Sequence, residues 1–231
     1  MAGCRPPKRL LLAAALSAAA SGCAHANAPY VHDTAAHHSI VVLGDSLAQG
    51  YGASDPGRGF TFLIYRRIAL YDPTAQITNF AIAGSKAGDV IAAELPTAQA
   101  ASATDVWLCV GANDVTHGTP QEQYATQMRQ LVTAVKQRWP SAQVVVFGVP
   151  DVSQSPLFTG MARFLVHRLA RADNDAAAEA ARAGGASFVD LFAFSHRAFD
   201  VRRELGADNF HPNDEGYQAI AQFAQHSLGL R

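Results

Sequence analysis

From Ser39 onward the chain alternates short, continuous apolar runs with longer helix-patterned segments, and this alternation constrains the fold more than any other feature. Ser39-Ile40-Val41-Val42-Leu43 is the first run and stops at Gly44; residues 77–80, 106–110, 144–149 and 187–191 are of the same kind. Apolar runs without polar alternation mark strands buried on both faces of a parallel sheet. Helical segments are expected at 60–71, 87–101, 121–139, 161–183 and 214–228. In 121–139, Tyr124, Met128, Leu131, Val132 and Val135 fall on one stripe, between Pro120 at the start and Pro140 at the stop. No repeat of fixed period is visible. Five strands with intervening helices predict the α/β class, as a three-layer α/β/α sandwich on a five-stranded parallel sheet. In such sheets ligands sit at the carboxyl ends of the strands, near the switch point in strand order.

With 231 residues, 49% of them apolar, the chain can bury one substantial core, so one domain is expected. Eighteen Lys and Arg face nineteen Asp and Glu, without a basic stripe, which excludes a nucleic-acid footprint. Arg5, Lys8 and Arg9 precede an apolar stretch, 10–20, too short to span a bilayer and shaped like a secretory signal. Ala20-Ser21-Gly22-Cys23 resembles the bacterial lipobox, in which the Cys is lipidated, although Ala20 stands where that motif has Leu. Ala24-His25-Ala26 offers a competing cleavage site of the A-x-A type. The expected division is therefore a signal peptide at 1–22, a flexible tether at 23–38 and one domain at 39–231. Ala24 after the Cys, rather than Asp, points to an outer-membrane lipoprotein; cleavage after Ala26 would give a soluble periplasmic or secreted protein. His32, His37 and His38 read as a solvated linker rather than a metal set, since no Cys or carboxylate cluster accompanies them. With Cys4 removed and Cys23 lipidated, Cys109 has no disulfide partner and reads as a small core residue.

Four segments carry chemistry. Gly44-Asp45-Ser46-Leu47 follows the first strand, and a Ser at a strand-to-helix turn can hold its hydroxyl clear of the sheet beside the turn's N–H groups. Alone, it is equally the pattern of a helix N-cap. Asp208-Asn209-Phe210-His211 places an Asp and a His on one turn, before a helix that Asp214 is expected to cap; such an Asp can orient an imidazole toward a nucleophile. Gly84, after the second strand, can bring a backbone N–H close to a ligand, and Asn113, after the third, supplies an amide. With the Ser46 N–H these donors suit a tetrahedral oxyanion. Asp190 rivals Asp208 as the acid. Asp45 and Asp114 read as turn-stabilising carboxylates, and His117 as an exposed loop residue.

Taken together and in this order, the four segments resemble the SGNH hydrolases, the GDSL esterase/lipase family, over the whole of 39–231. The resemblance implies a flavodoxin-like fold and a Ser46–His211–Asp208 triad. It also implies an oxyanion hole of the Ser46 and Gly84 N–H groups with the Asn113 amide. The Gly-Asp-Ser-Leu-Ala-Gln-Gly-Tyr context looks most like the bacterial lysophospholipase, thioesterase and arylesterase branch. Expected activity is hydrolysis of short- or medium-acyl carboxylic esters, with a small-molecule, lipid or glycan ester as substrate and no metal or organic cofactor. Alternatives are an O-acetyl polysaccharide deacetylase, or a non-catalytic envelope lipoprotein that keeps the fold. Leu157, Phe158, Met161 and Phe164 fit either an acyl-pocket wall or the buried stripe of the helix near Met161.

Overall fold

A computed structural model describes Met1, residues 28–31 and residues 37–230. The remainder of the expected signal peptide, Cys23 and His32 lie outside the described residues. Five strands, β1 (Ser39–Gly44), β2 (Gln76–Asn79), β3 (Asp105–Cys109), β4 (Gln143–Phe147) and β5 (Ser187–Val189), form one sheet in the order β2-β1-β3-β4-β5. All four pairings are parallel. The three-layer α/β/α expectation holds, with strand ends shifted by one or two residues.

Period-two alternation assigns each strand residue to a layer. Ile40, Val42, Trp107, Cys109, Val145 and Phe147 pack into one cluster with Phe60, Ile64, Phe194, Tyr217 and Ile220. Those partners come from α2 (Phe60–Ala69), α8 (Leu191–Arg197) and α9 (Asp214–Ser227). Val41, Leu43, Val106, Leu108, Val144 and Val146 face the other way, onto Tyr124, Met128, Leu131, Ala170 and Ala177. These belong to α6 (Gln121–Arg138) and α7 (Gly160–Ala183). The buried stripe of α6 is the five residues expected from the sequence.

Three expectations need correction. The helix expected over 87–101 is broken into α3 (Ala87–Asp89), a π turn at Val90–Glu94, α4 (Leu95–Thr97) and a 3₁₀ turn at Ala98–Ala100. Pro96 supplies no N–H and crowds the preceding turn, so the hydrogen-bond register slips there. The last helix is capped by Asn213, whose side chain accepts from Gly216 N, and not by Asp214. Asp214 instead accepts from Ser54 N at 2.8 Å and Ser54 Oγ at 2.6 Å. Third, His38 is not part of a solvated linker, whereas His37 is exposed as expected. His38 is buried, its Nδ1 2.9 Å from Asp105 Oδ2. Tyr30 donates to the other Asp105 oxygen, Val31 exchanges two hydrogen bonds with the Gln143 side chain, and Ser187 Oγ donates to Ala28 O. Cys109 is buried and unpaired. No helix among the described residues is long and apolar enough to cross a membrane.

Candidate active site

In a sheet of order 2-1-3-4-5 the chain turns to opposite sides after β1 and β3, which leaves a crevice outside their carboxyl ends. Ser46 opens α1 (Ser46–Gln49) directly after β1, and Asn113 lies in the first turn of α5 (Ala112–Thr116) after β3. The approach of these turns depends on two glycines. A Cβ on Gly44 would lie 2.0 Å from Cys109 O, the carbonyl that accepts the Asp45 N–H at 3.0 Å. On Gly111 (φ +139) it would lie 2.5 Å from Val149 Cγ2 and 2.7 Å from the Tyr124 hydroxyl. No residue with a side chain fits at either point without moving backbone or core.

At this crevice Ser46, His211 and Asp208 meet. His211 Nε2 is 2.9 Å from Ser46 Oγ, and His211 Nδ1 is 2.6 Å from Asp208 Oδ2. The second Asp208 oxygen accepts the Phe210 and His211 N–H groups at 2.9 and 3.0 Å, closing the turn that presents the imidazole. Asn209 sits at its apex with φ 58, a left-handed conformation that Asn tolerates. Partial burial pushes the Asp208 carboxyl up, but the hydrogen bonds from His211 and the two amides outweigh it and hold it below the usual carboxylate range. An ionised Asp208 fixes the proton on Nδ1 and leaves the Nε2 lone pair toward the serine hydroxyl. Tyr51 packs on the imidazole at 4.6 Å between ring centroids.

The other two expected site residues follow β2 and β3. Gly84 has φ +89 and open space where a Cβ would stand. Among the described residues, neither the Ser46 nor the Gly84 N–H is given to a protein acceptor. Asn113 is buried and its amide donates to Ser85 O at 3.1 Å, which ties the third segment to the second.

Asp190 is not part of this group. It caps α8 by accepting from Ala193 N at 2.9 Å and also accepts from Asn174 Nδ2 at 3.2 Å. Asp45 accepts from Leu47 N within its own turn, whereas Asp114 reaches across to Ala87 N at 3.0 Å. Burial pushes Asp45 up to about 7, against the hydrogen bonds from Leu47 and Gly111, and raises Asp114 as well. His117 is exposed, and among the described residues its ring hydrogen-bonds with Asn113 O and Thr116.

A pocket of about 70 Å³ is lined by Ser46 and His211. Its apolar wall is made by Leu191, Phe194, Phe199, Val201, Leu205, Phe210 and Ile220. Leu157, Phe158, Met161 and Phe164 do not line it. Nor do they form a buried stripe: Leu157, Met161 and Phe164 are 59%, 70% and 53% exposed, and the buried face of α7 begins at Ala170. Three of its residues, Phe194, Phe199 and Phe210, lie in the stretch that leads into the histidine turn, but no local spacing marks them as one wall.

Several solved structures share this architecture. A GDSL-like lipase from Parabacteroides merdae superposes with a TM-score of 0.70 at 18% identity, covering 84% of this chain and 96% of its own. A psychrotrophic esterase from a Pseudoalteromonas species, inhibited by monoethylphosphonate, gives 0.65 at 19% identity, with coverage of 83% and 97%. An acetyl-xylooligosaccharide esterase from Geobacillus gives 0.64 at 16%, with coverage of 83% and 94%. At these identities the likeness shows the fold alone. No curated protein matches the sequence. The model of the GDSL-like lipase/acylhydrolase family does match, over residues 42–219. That span takes in the turns of Ser46, Gly84, Asn113 and His211, and the chain belongs to this family as a carboxylic ester hydrolase.

Proposed function

We propose that this protein hydrolyses short- to medium-acyl carboxylic esters through an acyl-enzyme on Ser46. The observation that carries the reading is the Asp208–His211–Ser46 hydrogen-bond chain at the mouth of an apolar pocket. His211 Nε2 takes the hydroxyl proton as Ser46 Oγ bonds to the ester carbonyl carbon. The carbonyl oxygen becomes an oxyanion held by the Ser46 and Gly84 N–H groups and the Asn113 amide. As the C–O bond breaks, His211 returns the proton to the leaving alcohol. Water then attacks the acyl-enzyme by the same route, releasing the acid and restoring the serine. A non-catalytic role is disfavoured, since every residue type the chemistry needs is present and the acid–base pair is in register.

A pocket of about 70 Å³ favours acyl chains of a few carbons over long ones. A second reading, removal of O-acetyl groups from polysaccharide, draws on the fold shared with the acetyl-xylooligosaccharide esterase. The test is a series of p-nitrophenyl esters from acetyl to palmitoyl, run beside acetylated xylan. A maximum kcat/KM at butyryl to octanoyl, with little release of acetate from xylan, supports the ester hydrolase; preference for acetylated xylan replaces it with the second reading. From the sequence motifs we further propose export, with lipid on Cys23 delivering the domain to the outer membrane.

A further inference from the structure

A second group of chemistry-bearing side chains lies beside the pocket and takes no part in the Ser46 relay. Asp151 follows β4 on a loop whose Pro150 and Gln154 line the pocket. His167 on α7 and His196 on α8 converge on one of its oxygens. His167 Nδ1 is 2.7 Å and His196 Nε2 2.8 Å from Asp151 Oδ2, and the three atoms all lie within 4.8 Å of one another. The other oxygen is fixed by Ser153, which donates from its hydroxyl at 2.6 Å and its N–H at 3.1 Å. The group is not a second nucleophile relay. The nearby Ser195 hydroxyl donates to Leu191 O, Ser153 is held by the carboxylate, and His196 Nδ1 faces the Gln154 amide at 3.3 Å.

We propose that Asp151, His167 and His196 form a binding site for one divalent transition-metal ion of the zinc type. Two imidazoles and a carboxylate are a donor set suited to such an ion, and three protein ligands leave a position for water. The Asp151 side chain is 1% exposed, while the His167 and His196 side chains are 36% and 44% exposed, so the ligand oxygen is buried and the open side faces solvent.

The geometry is near what coordination demands. Bonds of about 2.1 Å at tetrahedral angles separate ligand atoms by about 3.4 Å, against the 2.7 and 2.8 Å present here. Rotation of the two half-exposed rings by about half an ångström opens that space. Binding an ion requires each inner nitrogen to offer its lone pair, with the ring proton on the outer nitrogen. For His196 that outer nitrogen is Nδ1, which the Gln154 amide accepts once its oxygen is turned inward. Both rings also pack on Phe192, at 5.4 and 5.0 Å between centroids. The three ligands come from a loop and two helices, so the ion would fasten the pocket's loop to α7 and α8.

The test is titration of the metal-stripped protein with Co²⁺, followed by its visible absorption, and then displacement with Zn²⁺. One Co²⁺ per chain is expected, with His167→Ala and His196→Ala each weakening binding at least about tenfold. Zn²⁺ should raise the melting temperature of the wild type and not that of either variant. Both substitutions are at half-exposed side chains, and circular dichroism confirms that the variants are folded. Absence of binding up to roughly millimolar metal, or equal affinity in wild type and both variants, overturns the proposal. The readout does not involve ester hydrolysis, so its failure leaves the Ser46 reading untouched.

Discussion

Asp208→Asn separates orientation of the imidazole from every other role of that turn. The oxygen that accepts the Phe210 and His211 N–H groups at 2.9 and 3.0 Å remains available as the Asn carbonyl, so the turn is retained. What changes is the 2.6 Å contact with His211 Nδ1, where a carboxylate oxygen becomes an amide donor. The imidazole then places its proton on Nε2 and its lone pair on Nδ1, and Ser46 loses its base. The expected cost is about 10²–10⁴-fold in kcat, which corresponds to about 3–5 kcal/mol of transition-state stabilisation. Stability should change by about 1 kcal/mol or less, the scale of one exposed polar contact. Steady-state hydrolysis of p-nitrophenyl butyrate across pH, beside urea unfolding, measures both quantities. Asp190→Asn is the control: it loses part of a helix cap, about 1 kcal/mol of stability, and should keep kcat within about twofold. A modest rate loss in Asp208→Asn with a large one in Asp190→Asn would refute the assignment of the acid.

Ser46→Ala should lower hydrolysis by about 10⁴-fold or more with the fold intact, and an alkyl phosphonate should label the wild type at Ser46 alone by mass spectrometry. Asn113→Ala should lower kcat by roughly 10²–10³-fold with little change in KM; a rise in KM at constant kcat would make it a ground-state contact. Burial pushes Asp173 up to about 7, helped by the Asp114 charge, and Asp45 also reaches about 7. The native state therefore holds protons that the unfolded chain has lost, and stability falls as pH rises from about 4 to about 7, by up to about 1.4 kcal/mol per pH unit for each group. Asp173→Asn should flatten that decline in thermal melts across pH; an unchanged slope would exclude Asp173 as a contributor. Membrane fractionation of wild type and Cys23→Ser, with mass spectrometry of the mature N-terminus, tests the lipid anchor. An unlipidated N-terminus at Asn27 would end that proposal.

Local pattern carried the strands, the α6 stripe and the Ser46, His211 and Asp208 side chains that meet in one hydrogen-bond chain. The reason is that these features rest on short-range chemistry: β-branched runs, prolines at helix ends, and glycines at turns where a Cβ has no room. The pocket wall was not legible, because its residues come from α8, α9 and the loop between them and meet only through long-range packing. For the same reason Leu157, Met161 and Phe164 misled: their helical spacing describes a stripe but does not say whether anything packs on it. His38 deceived in the opposite sense. Its polar neighbours suggested a linker, while its partner Asp105 lies 67 positions away at the start of β3. Asp151, His167 and His196 escaped notice since their spacings, unlike Asp208 and His211 on one turn, match no local metal or catalytic pattern.

Buried carboxylates beneath the nucleophile link the segments that carry the chemistry. Glu94 accepts the Gly44 N–H at 2.7 Å, Asp45 that of Leu47 at 2.9 Å and Asp114 that of Ala87 at 3.0 Å. Each is at most 1% exposed, and burial raises all three, Glu94 to about 6 and Asp45 to about 7. Three like-charged groups under one turn are unfavourable, yet each holds a backbone segment that must stay fixed if the Ser46, Gly84 and Asn113 donors are to converge. The cost appears as pH is raised, when these groups ionise. Stability should therefore fall as pH rises through the range in which Glu94, Asp45 and Asp114 ionise.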